Sequence, residues 1–398
     1  MKKRIIIISE LFYPEENSTA YILTKIANKL AEKYQVIVIC GPEFYQKSNN
    51  IKGGYINPEI IINRISLPGL NKDKLLSRSL RMILITVKLF CTLCRIRKKN
   101  DILFSVTNPA PLLLLLALLK RFVSNPYCLL VHDIFPENTI PAKILKPSDW
   151  SYRVLKKIFD AAYRQASVLV VLGRDMKMLM KKKLKSNPHH TEIEIIENWA
   201  EVDLVYPNIT KSEQLEINLQ YAGNLGRVQG LMSLLEIIKS VQNPYLKFSF
   251  WGKGAMKKKM ETFVASNQLN NVSFYDSFKR NEQNDVLAQC DLAIVTLASG
   301  MCGLGVPSKT YNIMAAGKPI LFLGDSDSEV SLMIEESNIG YSFSMDNKDE
   351  ILSFLNNLTL EKRKELQVKG HQARVLAEKE FSENVILKKY LNVFDKIM

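Results

Sequence analysis

A regular alternation of short β-branched runs with longer amphipathic segments is the feature of this sequence that most constrains its fold. Runs such as RIIIIS at 4–9, QVIVIC at 35–40 and SVLVVLG at 167–173 have the length and composition of buried strands. Further strands of the first half are predicted at 61–67, 101–106, 127–133 and 192–198, with helices at 18–33, 74–99, 109–123, 149–166 and 174–185. Strands separated by helices of this length pair in parallel through βαβ crossovers. The sequence therefore predicts an α/β fold with a parallel sheet.

The alternation stops after Asn198 and then begins again. The segment WAEVDLVYPNITKSEQLE at 199–216 has weak periodicity and contains a proline, so we interpret it as a linker. Further strands are predicted at 217–224, 246–252, 272–277, 292–297 and 320–324, with helices between them and only helices after 324. Since 398 residues exceed what one ordinary core holds, we predict two Rossmann-like, doubly wound parallel-sheet domains facing a cleft. We expect residues 1–200, completed by a C-terminal helix at 380–398, to form the first domain, and residues 201–379 the second.

The chain is strongly basic, with 54 lysine and arginine residues against 40 acidic ones and a formal net charge of +14. This charge indicates an anionic partner: nucleic acid, an anionic membrane surface or a phosphorylated substrate. We expect no nucleic-acid partner, because the sequence has no recognised nucleic-acid motif and no basic stretch interleaved with aromatic residues.

The predicted helix at 77–99 is basic and amphipathic, which suits an anionic leaflet. The same pattern is typical of a helix whose apolar face packs on the protein core, so both interpretations stay open. Its basic residues are Arg78, Arg81, Lys88, Arg95, Arg97, Lys98 and Lys99.

No segment is predicted to cross a membrane. The longest apolar run, PAPLLLLLALL at 109–119, has eleven residues, whereas a span needs roughly 20, so it predicts a buried helix. The isoleucine run at the N-terminus lacks the length and the cleavage site of a secretory signal and is interpreted as the first strand.

Six cysteines are scattered among apolar runs, which favours buried free thiols in a reducing compartment. Cys91 and Cys94 form a CxxC, but no second pair of cysteines or histidines lies at metal-ligand spacing. We therefore expect no metal site.

Glycine-containing turns follow two predicted strands of the second half. YAGNLGRVQG follows the strand at 217–224, and WGKGAMKKK follows the strand at 246–252. Glycine lets a backbone approach a ligand closely, and the start of the next helix offers free N–H groups to a phosphate. Each turn alone is weak evidence, since many strand-to-helix turns need glycine for steric reasons. Together they favour a phosphate site.

The stretch GVPSKTYNIMAAGKPILF at 305–322 adds a lysine at a third strand end. Lys309 lies at the start of a helix predicted from Ser308 to Ala316, where the positive end of the helix dipole makes a cation unfavourable. Binding of a diphosphate would explain this position, and a solvated lysine is the alternative.

Two groups of polar residues follow strands of the first half. Asn17, Ser18 and Thr19 come after the first strand, where they can cap the next helix or contact a substrate.

The second group lies in VHDIFPEN at 131–138. Three polar residues lie close together at the end of an apolar strand: His132, Asp133 and Glu137. Polar groups in such a place either have hydrogen-bond partners or serve a function. We interpret them as candidate catalytic residues, with Asp133 or Glu137 orienting an acceptor. A histidine hydrogen-bonded inside its own loop is the alternative.

The order of these motifs resembles the GT-B glycosyltransferases and, within them, the retaining family 4. The resemblance covers nearly the whole chain, from Arg4 to the closing helix, and is most specific in VPSKTYNIMAAGKPI. The forms YAGNLG, ENWAEVD and VPSKTYNIMAAGKPIL are similar to the bacterial branch that builds O-antigen and capsule repeat units. This branch includes L-fucosamine (N-acetyl) transferases of the WbuB type.

The resemblance implies a nucleotide-diphosphate sugar donor bound by the second domain and an acceptor bound by the first. Transfer would occur in the cleft, with retention at the anomeric carbon and without an obligatory metal or other cofactor. The histidine that contacts the transferred sugar best matches His132, and the base is expected near Ser277 and Phe278. The donor and diphosphate positions are Gly223, Asn224, Gly226, Ser308 and Lys309.

The chain departs from the family pattern at the diphosphate. The family commonly carries Arg and Lys where this chain has Asn224 and Gln229. Lys309, with Arg227 and Lys253, would then carry the diphosphate charge.

A second departure concerns two glutamates of the family, which Leu304 and Asn312 replace. Leu304 cannot act as an acid, so sugar contacts would come from the backbone N–H groups of Gly303 to Gly305. Asn312 could still bond ribose hydroxyls as an amide.

The resemblance therefore implies a glycosyltransferase of O-antigen, lipopolysaccharide or capsular polysaccharide synthesis. The donor is expected to be UDP-linked, with N-acetyl-L-fucosamine as the candidate sugar. The acceptor is expected to be linked to undecaprenyl diphosphate, which would place a cytoplasmic protein at the inner face of the bacterial inner membrane. Two alternatives stay open: a non-hydrolysing sugar-nucleotide epimerase of similar fold, and a basic membrane-surface protein with a vestigial site.

Overall fold

The computed structural model describes residues 2–15, 17–43, 55–67, 75–185, 191–208 and 215–397, which contain two parallel β-sheets. The first sheet has seven strands in the order β3-β2-β1-β4-β5-β6-β7. They are β1 (Arg4–Ser9), β2 (Gln35–Cys40), β3 (Ile61–Arg64), β4 (Ile102–Val106), β5 (Tyr127–Val131), β6 (Val168–Val171) and β7 (Glu192–Ile195). All the strands predicted for the first half are present.

Helices cover both faces of this sheet. They are α1 (Ser18–Ala31), α2 (Leu75–Ile96), α3 (Ala110–Lys120), α4 (Trp150–Tyr163) and α5 (Arg174–Leu184). Because both faces are covered, the central strands are apolar along their length and do not alternate. Residues 5–8 of β1 are an example, since each is completely buried between β2 and β4.

The second sheet has six strands in the order β10-β9-β8-β11-β12-β13. They are β8 (Ile217–Ala222), β9 (Leu246–Trp251), β10 (Val272–Tyr275), β11 (Leu292–Thr296), β12 (Ile320–Leu323) and β13 (Gly340–Phe343). The connecting helices are α6 (Leu231–Ile238), α7 (Lys257–Ser266), α8 (Gln283–Ala288), α9 (Lys309–Ala315), α10 (Glu329–Ser337) and α11 (Lys348–Asn356). The predicted fold of two doubly wound parallel-sheet domains is confirmed.

Strand β13 corrects the expectation that only helices follow residue 324. It pairs in parallel with β12 at the edge of the sheet, and only Gly340 of its four residues is buried. A four-residue, half-buried strand shows neither an apolar run nor a clear alternation, so periodicity does not reveal it.

The chain ends with helices α12 (Arg363–Glu380) and α13 (Glu383–Ile397), and α13 packs on the first sheet. The ring of Phe394 meets Phe104 of β4 edge to face, with 5.3 Å between the centroids. Lys25 of α1 forms an ion pair with Glu383 at 2.9 Å. The last helix therefore returns to the domain in which the chain begins.

Within the described residues, no helix combines the length and the apolarity that crossing a bilayer requires. The six cysteines are free thiols. Cys40, Cys128 and Cys290 are buried, but Cys91 and Cys94 are exposed on α2, so the expectation of buried thiols is wrong for this pair.

Replacement of Phe394 by alanine tests whether α13 holds the first domain together. Phe394 is 0% exposed, so we expect Phe394→Ala to lower the free energy of unfolding by about 3–5 kcal/mol in a denaturant titration of the full chain. Val375→Ala on the exposed side of α12 is the control. A loss below about 1 kcal/mol, the size of an ordinary surface effect, would show that α13 contributes little.

Candidate functional site

Two glycine turns at the carboxyl ends of β8 and β9 touch each other. Gly223 N–H donates to the carbonyl of Trp251 at 2.9 Å, and Gly252 N–H donates to the carbonyl of Tyr275 at 3.2 Å. Both glycines have positive φ, +149° and +146°, and a Cβ on Gly252 would lie 2.0 Å from the carbonyl oxygen of Gly223. Glycine is therefore required where the two turns meet.

The rest of the two turns forms one compact surface. Leu225 N–H donates to the carbonyl of Lys253 at 2.9 Å. A Cβ on Gly226 would lie 2.5 Å from Gln229 Oε1 and 2.9 Å from Asn224 Nδ2, so these side chains flank the glycine closely. Three of the predicted donor residues, Asn224, Arg227 and Lys253, are exposed on this surface.

Lys309 reaches from the start of α9 to the first glycine turn. Its Nζ lies 3.3 Å from the centroid of the Tyr221 ring, and a Cβ on Gly223 would lie 3.6 Å from its Cδ. The ammonium nitrogen is buried and has no hydrogen-bond partner among the described residues. Burial lowers the pKa of Lys309 well below its usual value.

This arrangement suits an anion. The face of the Tyr221 ring attracts the ammonium group but leaves its three N–H donors without acceptors. A diphosphate in the glycine turn would supply the acceptors and the opposite charge. The structure thus favours anion binding over the alternative of a solvated lysine.

Neighbouring predicted residues lie around the same turns. Ser308 is exposed at the first turn of α9, where its hydroxyl forms no capping hydrogen bond. Ser277 is exposed, and the ring of Phe278 meets Trp251 edge to face at 6.2 Å. Trp251 stacks on Tyr275 with 4.2 Å between centroids, and its Nε1–H is buried without a partner among the described residues. The sequence prediction missed these two aromatic residues because their strand pattern is typical of any sheet.

His132 and Asp133 follow β5 and are held by one hydroxyl group. Their backbone N–H groups donate to Thr107 Oγ1 at 3.2 and 3.3 Å. Thr107 is buried after the end of β4, and the sequence prediction missed it because its role depends on strand pairing.

The His132 side chain is neutral at physiological pH. Burial lowers the pKa of His132 from 6.5 to about 4, and its Nε2 has no hydrogen-bond partner among the described residues. The predicted alternative, a histidine bonded inside its own loop, is thus not seen for this nitrogen. Burial of the Asp133 carboxyl raises its pKa, although the residue as a whole is exposed.

The two domains meet at these residues. A Cβ on Gly305 would lie 3.2 Å from the carbonyl oxygen of His132 and 3.9 Å from Asp133 Oδ1. Gly305 leads directly to Ser308 and Lys309. The candidate residues of the two halves are therefore brought together in one cleft.

The Glu137 carboxylate is bound by two lysines, so its predicted role in orienting an acceptor finds no support in this arrangement. Its carboxylate oxygens bind Lys183 Nζ at 2.6 and 2.7 Å and Lys156 Nζ at 2.6 Å. The Lys183 side chain is 1% exposed and also pairs with Asp160 at 2.5 Å. Glu137 is part of a buried ion-pair network. If its carboxylate left this network, the buried Lys183 ammonium would lose one of its two carboxylate partners.

Two of the backbone N–H groups of Gly303 to Gly305 that were expected to contact the sugar already have acceptors within the protein. Gly303 N–H donates to Asp175 Oδ2 at 3.1 Å, and Leu304 N–H donates to the carbonyl of Met301 at 3.0 Å. The Leu304 side chain is buried.

Asn312 faces the linker, where its amide is already bonded. Its Nδ2 donates to Glu201 Oε2 at 3.0 Å and to Gln283 Oε1 at 3.2 Å, and its Oδ1 accepts from Glu201 N–H at 3.0 Å. Both of its N–H donors are used, so the predicted bonds from this amide to ribose hydroxyls find no support in this arrangement.

Asn17 is the N-cap of α1. Its Oδ1 accepts from Ala20 N–H at 2.9 Å, and its Nδ2 donates to Glu15 Oε2 at 3.0 Å. Ser18 and Thr19 form the first turn of the helix, and Ser18 is exposed. The geometry favours the capping interpretation for Asn17 and leaves the Ser18 hydroxyl accessible. In the described part of the chain, no group of three or more acidic, histidine or cysteine residues is arranged to hold a metal ion.

The chain is similar in sequence and in fold to known glycosyltransferases. The family model of the glycosyl transferases group 1 matches residues 207–373. WbjE of Pseudomonas aeruginosa, a probable glycosyltransferase, is 33% identical over 396 residues, covering 97% of this chain and 96% of WbjE. WcaI of Escherichia coli K12, named for colanic acid biosynthesis, is 21% identical over 54% of each chain. The structure of Anabaena HepE in complex with UDP superposes with a TM-score of 0.70 and 14% identity, covering 99% of this chain and 100% of HepE.

The pKa of His132 predicts how stability changes with pH. Because the folded protein resists protonation of His132 until about pH 4, the unfolded chain binds the extra proton between pH 6.5 and 4, and stability falls as the pH falls. We expect His132→Gln to weaken this fall, measured by urea denaturation at about pH 7, 5.5 and 4.5. His371→Gln, at an exposed position in α12, should leave the fall unchanged. If the free energy of unfolding changed with pH equally in His132→Gln and the wild type, burial of a neutral imidazole at this position would be contradicted.

Proposed function

The chain belongs to the group 1 glycosyltransferases, and from that premise we propose that it transfers a sugar from a UDP-linked donor with retention at the anomeric carbon. The observation that carries the donor assignment is the buried ammonium of Lys309, which lacks an acceptor among the described residues beside the Gly223 turn. The UDP complex of HepE, which has the same fold, supports a nucleotide in this cleft.

Charge stabilisation would supply much of the catalysis. When the anomeric C–O bond breaks, negative charge develops on the nucleoside diphosphate, and the Lys309 ammonium is placed to stabilise it. The acceptor oxygen forms the new bond to the same carbon, and its proton passes to the departing phosphate oxygen. This step needs no carboxylate pair, which agrees with the commitment of Glu137 to Lys183 and Lys156.

First-domain residues would orient the reacting groups. Neutral His132 can form a hydrogen bond with a sugar hydroxyl through Nε2, which has no partner in the part of the chain that the structure describes. Asp133 is placed to orient the acceptor hydroxyl. Since a lysine faces the diphosphate, we propose that transfer requires no resident metal ion and no other cofactor.

The acceptor is proposed to be a lipid-diphosphate-linked sugar, because α2 carries two apolar faces. Ile85, Leu89 and Leu93 are buried against the sheet. Leu80, Ile83 and Val87, at helical spacing on another face, are 49%, 54% and 46% exposed. An exposed apolar stripe on a basic helix suits the interface of an anionic membrane.

The ends of α2 agree with this placement. Arg95, Lys98 and Lys99 are exposed at its C-terminal end. Near the other end Arg81 pairs with Glu10, which follows β1, at 3.1 Å. The stripe thus shares its helix with a basic surface. Of the predicted basic residues, the side chain of Arg78 lies outside the described residues.

The sugar and the pathway are proposals of the same kind. WcaI supports a role in polysaccharide synthesis. The resemblance to fucosamine transferases makes UDP-linked N-acetyl-L-fucosamine the first donor to test and undecaprenyl diphosphate the first acceptor lipid, in O-antigen or capsule synthesis at the inner face of the inner membrane. The epimerase alternative would need acid-base carboxylates in the cleft; Asp133 lies there, whereas Glu137 is bound by Lys156 and Lys183 and does not form a pair with it.

Replacement of Lys309 by methionine tests the donor site. We expect Lys309→Met to lower the affinity for UDP, measured by calorimetry, by more than about tenfold, which is about 1.4 kcal/mol. The unliganded variant should be at least as stable as the wild type, because a buried charge without an acceptor is removed. Transfer, assayed with a panel of nucleotide sugars, should fall by more than about tenfold.

The control for Lys309→Met is Lys259→Met on an exposed part of α7, which should leave UDP affinity unchanged. Unaltered UDP affinity in Lys309→Met would refute the diphosphate site. A wild type that neither binds nor consumes any nucleotide sugar would refute the proposed function.

Substitution of the exposed α2 stripe tests the membrane proposal. We expect the double variant Ile83→Ser, Val87→Ser to bind vesicles containing about 30% phosphatidylglycerol at least tenfold more weakly than the wild type in sedimentation. The reason is that burial of one aliphatic side chain contributes about 1.5–3 kcal/mol. Leu215→Ser, at an exposed position in the linker, should bind like the wild type. Equal binding by the double variant would place the membrane contact elsewhere.

A further inference from the structure

Helices α5 and α10 begin opposite each other across the domain boundary, and each is capped by the other. Arg174 N–H at the start of α5 donates to Glu329 Oε2 at 2.5 Å. Glu329 N–H at the start of α10 donates to Asp175 Oδ2 at 3.3 Å. The first N–H groups of a helix lack partners within it and carry partial positive charge, so a carboxylate stabilises each start. One carboxylate from each domain thus joins the two helices.

Asp175 has a further partner in the cleft. Its Oδ2 also accepts from Gly303 N–H at 3.1 Å, and its Oδ1 accepts from Met176 N–H at 2.7 Å. Asp175 is 4% exposed and, among the described residues, forms no ion pair. Its charge is therefore held by backbone N–H groups, two of which belong to the other domain.

Two glycines permit this approach. A Cβ on Gly173 would lie 2.8 Å from Glu329 Cβ and 2.9 Å from Asp175 Oδ1, closer than real Cβ atoms come. Gly303 has φ +75° and lies against the carbonyl of Asp175. A side chain at Gly173 would force the helix starts apart.

The loop at 300–305 links this contact to the candidate site. At its beginning, Gly300 and Cys302 N–H donate to Asp325 Oδ2 of the same domain at 3.2 and 3.0 Å. At its end, Gly305 lies against His132. Between them, Asp175 is the first-domain carboxylate that fixes Gly303.

We propose that Asp175 is a positioning residue that couples closure of the two domains to the placement of the 300–305 loop beside His132. The proposal rests on the proposed function of the cleft. When the domains separate, the carboxylate loses Gly303 and Glu329 together, and the loop loses its tie to the first domain. The loop is then placed for transfer only in the closed protein.

The test compares Asp175→Asn with the wild type in the full chain. We expect kcat for transfer to fall more than tenfold, while the affinity for UDP stays within threefold, because Asp175 does not contact Lys309 or the glycine turns. Small-angle scattering should show a larger radius of gyration for the variant. Gly173→Ala is a second variant for the case in which Asp175→Asn folds poorly. It keeps the carboxylate but adds a Cβ that collides with Glu329, and we expect it to lower kcat and enlarge the radius of gyration in the same way.

The control is Glu336→Gln, which alters the outer ion pair with Arg174 at a residue that is 57% exposed; kcat and scattering should stay at wild-type values. A purely structural role predicts that UDP affinity and thermal stability fall along with kcat, and that result would overturn the proposal. So would wild-type kcat in both Asp175→Asn and Gly173→Ala. A wild type without nucleotide binding would instead refute the proposed function.

Discussion

The second domain is organised around a positive charge that it buries without an acceptor among the described residues. Desolvation of an ammonium group costs several kcal/mol, and the ring of Tyr221 offsets only part of that cost for Lys309. The contact between the Gly223 and Gly252 turns leaves no room for a Cβ at Gly252, and it sets the surface that the lysine faces. A phosphate entering there would reverse the effect of burial on the lysine, since it restores both the hydrogen bonds and the opposite charge. The buried ammonium group beside the Gly223 turn thus favours an anionic ligand.

The boundary between the domains also buries charged groups, but these are carboxylates and they have partners. Asp175 is held by N–H groups from both domains. Glu201 in the linker accepts from the Tyr21 hydroxyl of α1, pairs with Arg280 at 2.5 Å and bonds Asn312. A buried carboxylate that loses its partners is strongly destabilising. Both carboxylates therefore penalise separation of the domains, and they fix how the two halves of the cleft face each other.

Periodicity and turn chemistry are local properties, and they predict the local parts of this structure. The strands, the glycine turns and the position of Lys309 follow from short windows of sequence. Contacts between distant residues do not. The sequence around Glu137 indicates a catalytic carboxylate because nothing near it shows that Lys183, 46 positions later, binds it. Asp175 carried no signal because its partner Gly303 lies 128 positions away in the other domain. Thr107 is another such case, since the pairing of β4 with β5 brings it to His132.

The departure at Asn312 follows from the same interdomain packing. The family carries a glutamate there, but in this chain Asn312 donates to the carboxylate of Glu201 at 3.0 Å. A glutamate at 312 would place two carboxylates in contact, and like charges at this distance repel each other strongly in a buried setting. The residue types at 201 and 312 thus depend on each other: the carboxylate of Glu201 lies in the linker, and Asn312 of α9 supplies the amide that binds it. The residue that replaces the glutamate binds the Glu201 carboxylate, and Lys309 on the same helix faces the Gly223 turn, so the replacement alone gives no support to a vestigial site.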